Sequence, residues 1–420
     1  MVKTFLDFDI AVEKSLNCAE VINFIELINI EDSLKRIISK DMYCVKNLPS
    51  FNNSAMDGFA IKASDAGKSL KVKKIIFAGE NVDACLEDGE CYKIMTGAKV
   101  PNDVDTIIPI EDVVSFENNI VTFKNEVKKG SSLRLKGEEK AVDDILFKKG
   151  DEINSSTIAV LASQGITKVE VYKKLSIAVV STGNELKEPW EEASEDEIYN
   201  CNSYALISLL KEKGFDATYT GVVPDSLEKS VEFVSSLKSY DVIITTGGIS
   251  MGDADFVGQA FLDNGLEIAF HGVNIKPGRP IMMGTMQKGN QNEKSKEQTF
   301  VMCLPGNPLT AMVNMHLFSF PVLNKIQGAN KIFHNITVAE NKQSFKTKSG
   351  RVNVVLGSCN KGEFEVTRNN KYGSGMITVL EESNSIVVTN EDTASIEASN
   401  SVKVIDFNCS YLKEQINIFN

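Results

Sequence analysis

The segment Asp241–Asp255, DVIITTGGISMGDAD, decides how this chain folds. Its run from Val242 to Thr246 is β-branched and shows no alternation, as expected of a strand covered on both faces. Gly247 and Gly248 then free the backbone and allow close approach, so successive N–H groups can cradle an anion or the edge of a ring. A strand ending at two glycines is also the pattern of a plain tight turn. The surroundings decide between the two.

From Leu175 the chain alternates strand and helix patterns: SIAVVST, NSYALISLLKEKGF, ATYTGVV, SLEKSVEFVSSLK, DVIITT, DFVGQAFLDNG and EIAFHGV. Short apolar strands separated by amphipathic helices predict a doubly wound parallel α/β sheet. Ligands of such sheets bind outside the strand C-terminal ends, which sets STGNEL (Ser181–Leu186), VVPDS (Val222–Ser226) and TTGGIS (Thr245–Ser250) on one rim. The acidic stretch Leu186–Asn200 is expected to be a solvated loop. Gln287–Gln298 is expected to be a mobile hairpin between strands. MCLPGNP (Met302–Pro308) ends a strand and opens a helix, with Pro308 suited to the first turn.

Toward the N-terminus, the spacing of Val12, Leu16, Ala19, Ile22, Leu27, Leu34 and Ile38 predicts two helices broken near Asn29–Asp32. Ile75–Phe123 is a succession of short β-rich runs, and Thr157–Gly165 is a returning helix followed by the strand VEVYKK. Beyond Ile332, β-branched runs separated by Gly and Asn pairs predict a last small β domain with GSGMI (Gly373–Ile377) as its polar loop. The expected division is a discontinuous helical linker region at 1–47 and 146–173, an inserted β domain at 48–145, an α/β domain at 174–327 and a C-terminal β domain at 328–420.

A chain of 420 residues exceeds one core and suits about three or four domains. The net charge of -12, without long lysine clusters, argues against nucleic acid and acidic membrane surfaces as partners. The N-terminus interrupts its apolar residues with Asp7, Asp9 and Glu13, and no later run would span a bilayer, so a cytoplasmic location is expected. Eight scattered cysteines without a CxxC pair suggest neither a zinc site nor a disulfide framework, and most are expected to act as small core hydrophobes.

Five ordered motifs carry a resemblance: SAMDGFA (Ser54–Ala60), MTGAKVPNDVDTIIPIEDV (Met95–Val113), SSLRLKGEEKAVDDILFKKGDEI (Ser131–Ile153), STGNEL and LPGNP. They resemble the signatures of the molybdopterin molybdenumtransferases, the family of the bacterial MoeA enzymes and the gephyrin E domain. The resemblance implies molybdopterin binding by the α/β domain. It implies insertion of molybdenum from molybdate into adenylylated molybdopterin with release of AMP, with Mg2+ as cofactor. It also implies a homodimer whose sites are built from both chains, and transient contact with other cofactor-biosynthesis enzymes.

Such a site needs carboxylates for a hard cation and cations or N–H donors for molybdate and phosphate. By resemblance the acidic set is Asp57, Glu185, Asp225 and Asp255, of which Asp57, Glu185 and Asp255 are metal candidates, with Glu139 standing where the family usually has Asp. Lys276 in IKPGRP matches the family's lysine, and Arg279 is a second cation held close by Pro277 and Gly278. Thr96 and Ser374 match family hydroxyls, while Gly247, Gly248 and Ser250, with Pro305, Gly306 and Asn307 of LPGNP, are implied substrate contacts. Singly, each is also a plausible turn or cap residue, and Asp225 after Pro224 has the look of a helix start.

Three positions depart from the family pattern. Asn184 and Asn200 stand where carboxylates are common, and Glu139 is a methylene longer than Asp. An amide neither attracts a cation by charge nor serves as a general base. Two rival readings follow: a non-catalytic molybdopterin-binding or scaffolding member, and a nucleotide-processing relative that shares only the α/β domain. The second is weakened by SAMDG, MTGA and LPGNP lying on one chain, the first by the retention of Asp57, Glu185, Asp255 and Lys276.

Overall fold

The protein is described from a computed structural model covering residues 5–81, 85–248, 256–288 and 297–407. The chain folds as two compact units, one formed by 1–39, 150–158 and 168–420, the other by 40–149 and 159–167.

The first unit is organised around a six-stranded sheet in the order Ala217–Val222, Ile177–Ser181, Val242–Thr246, Gln298–Leu304, Met282–Gln287, Glu267–His271. Both faces are covered, as the unalternating Val242–Thr246 run predicts. Val242 and Ile244 join one core with Leu206, Leu209 and Phe318. Ile243 joins a second with Val234, Leu237 and Phe261. Neighbouring residues of one strand thus bury into opposite layers, each side chain contributing roughly 1.5–3 kcal/mol.

The first four strands are parallel, but Glu267–His271 and Met282–Gln287 pair antiparallel, as do Met282–Gln287 and Gln298–Leu304. EIAFHGV therefore runs in the same direction as the first four strands, while Met282–Gln287, inserted between it and Gln298–Leu304, is reversed, and the sheet is mixed. The reason lies in the connections: no helix intervenes between His271 and Met282, and a parallel return needs a crossover of about a dozen residues or more. The expected hairpin flanks are present, with Lys288 N–H donating to Glu297 C=O, while 289–296 lie outside the described residues.

Within the same unit, a second six-stranded sheet takes in Ile275–Lys276, Val352–Asn360, Glu363–Val366, Thr337–Asn341, Ser401–Asp406 and Ser385–Thr389. An added pairing of Val352–Asn360 with Ser385–Thr389 closes the last five strands into a ring around Val355, Phe364, Val387 and Val404. The two-residue strand Ile275–Lys276 joins this sheet from within the α/β segment, placing Lys276 opposite Asn353.

The expectation of two N-terminal helices is half wrong. One helix runs Phe8–Asn17, but Ile25–Asn29 is a strand, antiparallel to Lys168–Tyr172. Exposure alternates along it, with Ile25 and Leu27 outward and Glu26 and Ile28 turned in, so period two rather than helical spacing governs. The region expected to be a helical linker is in this part a β pair. The returning helix forms as expected, at Ser155–Ser163, and Asn154 accepts from Thr157 N–H at its start.

The second unit carries its own sheet, in the order Thr106–Pro109, Gly58–Ile61, Glu90–Ile94, Ser69–Ile76, Ile120–Thr122, Ser115–Glu117. Phe59 and Ile61 face one core and Ala60, Tyr92 and Ile94 the other. Gly58 lies between two strands so closely that a Cβ there would stand 2.2 Å from the Ile108 carbonyl oxygen.

Candidate functional site

In the second unit the strand that Gly58 starts leaves Asp57 exposed at its entry. Asp57 Oδ1 accepts 2.7 Å bonds from both the hydroxyl and the backbone N–H of Thr96. The hydroxyl first, then the N–H, hold the Asp57 carboxyl below its ordinary range. SAMDG and MTGA therefore meet through these two side chains. Glu139 belongs to the same unit, exposed, with its N–H on Leu48 C=O.

In the first unit the strand ends converge. Thr182 donates its hydroxyl to Thr246 C=O at 3.0 Å, and Gly247 N–H donates to Leu304 C=O at 2.9 Å, so STGNEL, TTGG and LPGNP are tied side by side. Gly247 adopts φ +88, and a Cβ there would lie 2.4 Å from Thr182 Oγ1, which is why no larger residue suits the turn. Gly306 passes close to it, and Asn202 Nδ2 caps Gly306 C=O at 2.7 Å. Glu185 folds back onto Gly183 and stays exposed. Asp225 is exposed just before the helix Leu227–Ser236, whose cap position is Ser226; Asp225 is thus not that helix's cap. Gly248 ends the described loop, and Ser250 and Asp255 lie outside the described residues.

Lys276, Arg279, Pro305, Asn307 and Ser374 line one cavity of about 690 Å³. Asn307 Nδ2 and Ser374 Oγ are 2.9 Å apart, joining LPGNP to GSGMI. The Lys-Pro-Gly-Arg turn is pinned by Asn314, fully buried, whose Nδ2 donates to Gly278 C=O at 3.0 Å. Arg279 lies over the Phe5 ring at 4.5 Å, a cation–π contact that fixes its head.

Three cations in this cavity escape a reading of the sequence: Lys346, Lys348 and Arg351. With Lys276 and Arg279 they make five, and no carboxylate lines the space. None of the five is ion-paired among the described residues. The available signal is KTKSGR itself, three cations in six residues, masked by an otherwise ordinary β pattern. Tyr372 also lines the cavity; burial pushes its phenol up to about 12, and its oxygen accepts from Leu356 N–H.

The acidic loop is anchored rather than merely solvated. Leu186–Lys187 pairs with Ile198–Tyr199, and Glu188 accepts from the Tyr204 and Tyr219 hydroxyls. Asn200, buried, donates to Glu188 and Tyr219 and accepts from Ser203 N–H at the start of the next helix. A carboxylate at position 200 would face Glu188, so the amide departure is matched by a nearby acid. Asn184 remains exposed.

Comparison with known proteins agrees with this arrangement. The MoeA N-terminal region (domain I and II) matches residues 6–165, a probable molybdopterin binding domain 178–325, and the MoeA C-terminal region (domain IV) 338–407. The chain belongs to the molybdopterin molybdenumtransferase family. It is 30% identical over 392 residues to the molybdopterin molybdenumtransferase of Haemophilus influenzae, covering 91% of this chain and 94% of that one. Against the Staphylococcus epidermidis protein of the same name it is 29% identical, covering 93% of each. The crystal structure of the molybdopterin biosynthesis MoeA protein from Pyrococcus horikosii superposes with a TM-score of 0.76 at 27% identity, over 97% of this chain and all of that one.

Proposed function

We propose that this chain inserts molybdenum from molybdate into adenylylated molybdopterin and releases AMP. The observation that carries this reading is the carboxylate-free cavity with five cations beside the LPGNP turn. Charge of that sign, carried on turns whose backbone is held by Asn314, Asn353 and Asn370, suits an oxyanion substrate and a phosphoanhydride whose negative charge grows at the leaving phosphate.

Lys276, on a paired strand, and Ser374, tied to Asn307, hold molybdate. Gly247 and Gly248 leave room for the pterin side to approach the backbone. Asp57, oriented by Thr96, and Glu185 supply negative charge, and Asp225 and Glu139 are further carboxylates of the proposed set. Mg2+ usually takes one or two carboxylates, waters and substrate phosphates. No group of three or more metal-binding side chains gathers among the described residues. Glu185 and Asp57 are the described candidates to hold it, and Asp255, the third, lies outside the described residues. When bound, the ion would neutralise charge on the phosphoanhydride.

We also propose a homodimer, transient contact with other cofactor-biosynthesis enzymes, a cytoplasmic location and the four-part domain division. Sedimentation of a fully active monomer would refute the dimer, and fractionation of cells would test the location. No described helix is long and apolar enough to cross a membrane.

The deciding assay supplies purified protein, adenylylated molybdopterin, molybdate and Mg2+ and measures AMP release with cofactor formation. Tight binding of the adenylate without AMP release would sink the enzyme reading in favour of a binding or scaffolding role. Asp255→Asn is expected to lower insertion far more than pterin binding.

A further inference from the structure

A cavity of about 430 Å³ in the first unit shares no wall with the cationic one. The helix Asn202–Glu212 gives it Leu209, the helix that Pro308 opens gives Met312, and the strand Val352–Asn360 gives Leu356. These residues belong to the main core or pack against it, so the cavity is an apolar groove left open at that core's edge. Its rim carries Ile377, 41% exposed, next to Met376 at 46%. Uncovered apolar surface beside a groove marks a place where something docks. One polar group lines the same space: His316, 4% exposed, whose Nδ1 has no hydrogen-bond partner among the described residues. A buried nitrogen in that state calls for a donor from whatever fills the groove.

The chain itself leaves from this groove. Phe407, the last described residue, lines it, with its ring 5.2 Å from that of His316 and its N–H donating to Asn384 C=O at 2.9 Å. Next comes NCSYLKEQINIFN, residues 408–420, outside the described residues. In that sequence Leu412, Ile416 and Phe419 stand at i, i+4 and i+7, the anchor spacing of a segment that lays one apolar face into a groove. On the same spacing Glu414 and Asn417 fall on the opposite side. Ser410 and Tyr411 carry hydroxyls close to the end attached at Phe407, where His316 Nδ1 lacks a donor. The tether matters as much as the pattern. A segment that starts at the groove wall docks at an effective concentration on the order of millimolar, so modest contacts suffice.

We propose that this groove is the docking site of the chain's own segment 408–420, with Leu412, Ile416 and Phe419 seated in it. The docking is separate from the chemistry of the cationic cavity. Its mechanical effect falls on the stretch directly after Ser374, because Ile377 and the short helix Thr378–Glu381 contribute to the groove. A seated segment braces that stretch.

The test is timed trypsin digestion of the purified full chain, with release of the fragment that follows Lys413 measured by mass spectrometry. Such cleavage tracks the open population of the segment when opening and closing are fast. Two variants address the two sides of the contact. Leu412→Ser/Ile416→Ser/Phe419→Ser removes the anchors, and Ser208→Trp, at an exposed helix position on the groove wall, fills the space. Rates are normalised to free peptides of the same sequence, and an unchanged melting temperature checks the fold. Each variant should release the fragment at least about tenfold faster than the wild type, a loss of docking by one decade. Equal rates in all three proteins would overturn the proposal, as would acceleration by the anchor variant alone, which seats the segment elsewhere. Protection that fades on dilution would assign the groove to a second copy, and protection lost on purification would assign it to a foreign partner; either result overturns the proposal. As a second measurement, the Met312 methyl resonance should shift in the anchor variant while that of Met56, in the other unit, stays in place. A stationary Met312 signal means that the segment does not occupy the groove.

Discussion

The side-chain amide of Asn200 lies 3.3 Å from a Glu188 carboxylate oxygen and 3.0 Å from the Tyr219 hydroxyl, which itself donates to that same oxygen at 2.6 Å. Asn200 is 2% exposed. Asn200→Asp would set two carboxylates face to face with little water, raising the pKa of one of them. The expected loss is on the order of 1–3 kcal/mol at pH 7, shrinking as acid protonates one partner. Adding Glu188→Gln should recover most of it. Denaturant titrations at pH 7 and pH 5 check both statements, and equal stability of the single variant would refute the pairing.

Thr96 should govern the ionisation of Asp57. Because the folded carboxyl is held low, its stabilising contribution is present above the ordinary carboxylate value and fades as pH drops through the lowered one. Thr96→Val removes the hydroxyl and keeps the N–H. The Asp57 midpoint should rise toward the ordinary value, as followed by carboxyl-carbon NMR; no movement would show that the hydroxyl does not act on it.

His316 gives the chain an acid limit. Burial first, then His334 and Lys213, lower its pKa to about 3, and its ring packs against Phe320, His334 and Phe407. The unfolded chain takes up this proton near 6.5 and the folded one does not, so stability is complete above 6.5 and declines between 6.5 and about 3. The slope approaches about 1.4 kcal/mol per pH unit. His316→Gln should flatten melting temperature against pH between 7 and 4.5. His334, lowered by burial in the same sense, should leave a residual slope.

Gly58→Ala should be costly although its backbone angles are ordinary. The new methyl would meet the Ile108 carbonyl at 2.2 Å and force neighbouring strands apart. A loss of about 1–3 kcal/mol or more is expected, with Asp57 displaced from Thr96 as a consequence. Near-native stability of this variant would show that the sheet yields.

The α/β core is legible in the sequence because burial on both faces leaves an unalternating strand, and Val242–Thr246 shows one. Its one reversed strand is not, since Met282–Gln287 has the apolar composition of a parallel strand and only the helix-free connection from His271 reverses it. Ile25–Asn29 misleads because its apolar residues Ile25, Leu27 and Ile28 do not alternate with polar ones and can be aligned with helical spacing, although their exposure alternates in the sheet. At the site, motifs with fixed turns announce Asp57, Thr96, Gly247, Lys276 and Ser374. Lys346, Lys348 and Arg351 stay hidden because a surface lysine gains meaning only from a buried partner such as Asn353, about which local sequence is silent. Glu188 is hidden for the same reason within a run of acids.

The pairing of Lys276 with Asn353 also has a consequence for synthesis of the protein. A nascent chain that has emerged only as far as Ile326 has every strand of the α/β sheet and the whole STGNEL–LPGNP rim, but the neighbour that fixes Lys276, the KTKSGR turn and Ser374 have yet to emerge. An unfinished or C-terminally clipped chain therefore presents the rim with Lys276 and Arg279 but without Lys346, Lys348 and Arg351. On the proposed function, such a chain would lack three of the five cations of the oxyanion cavity.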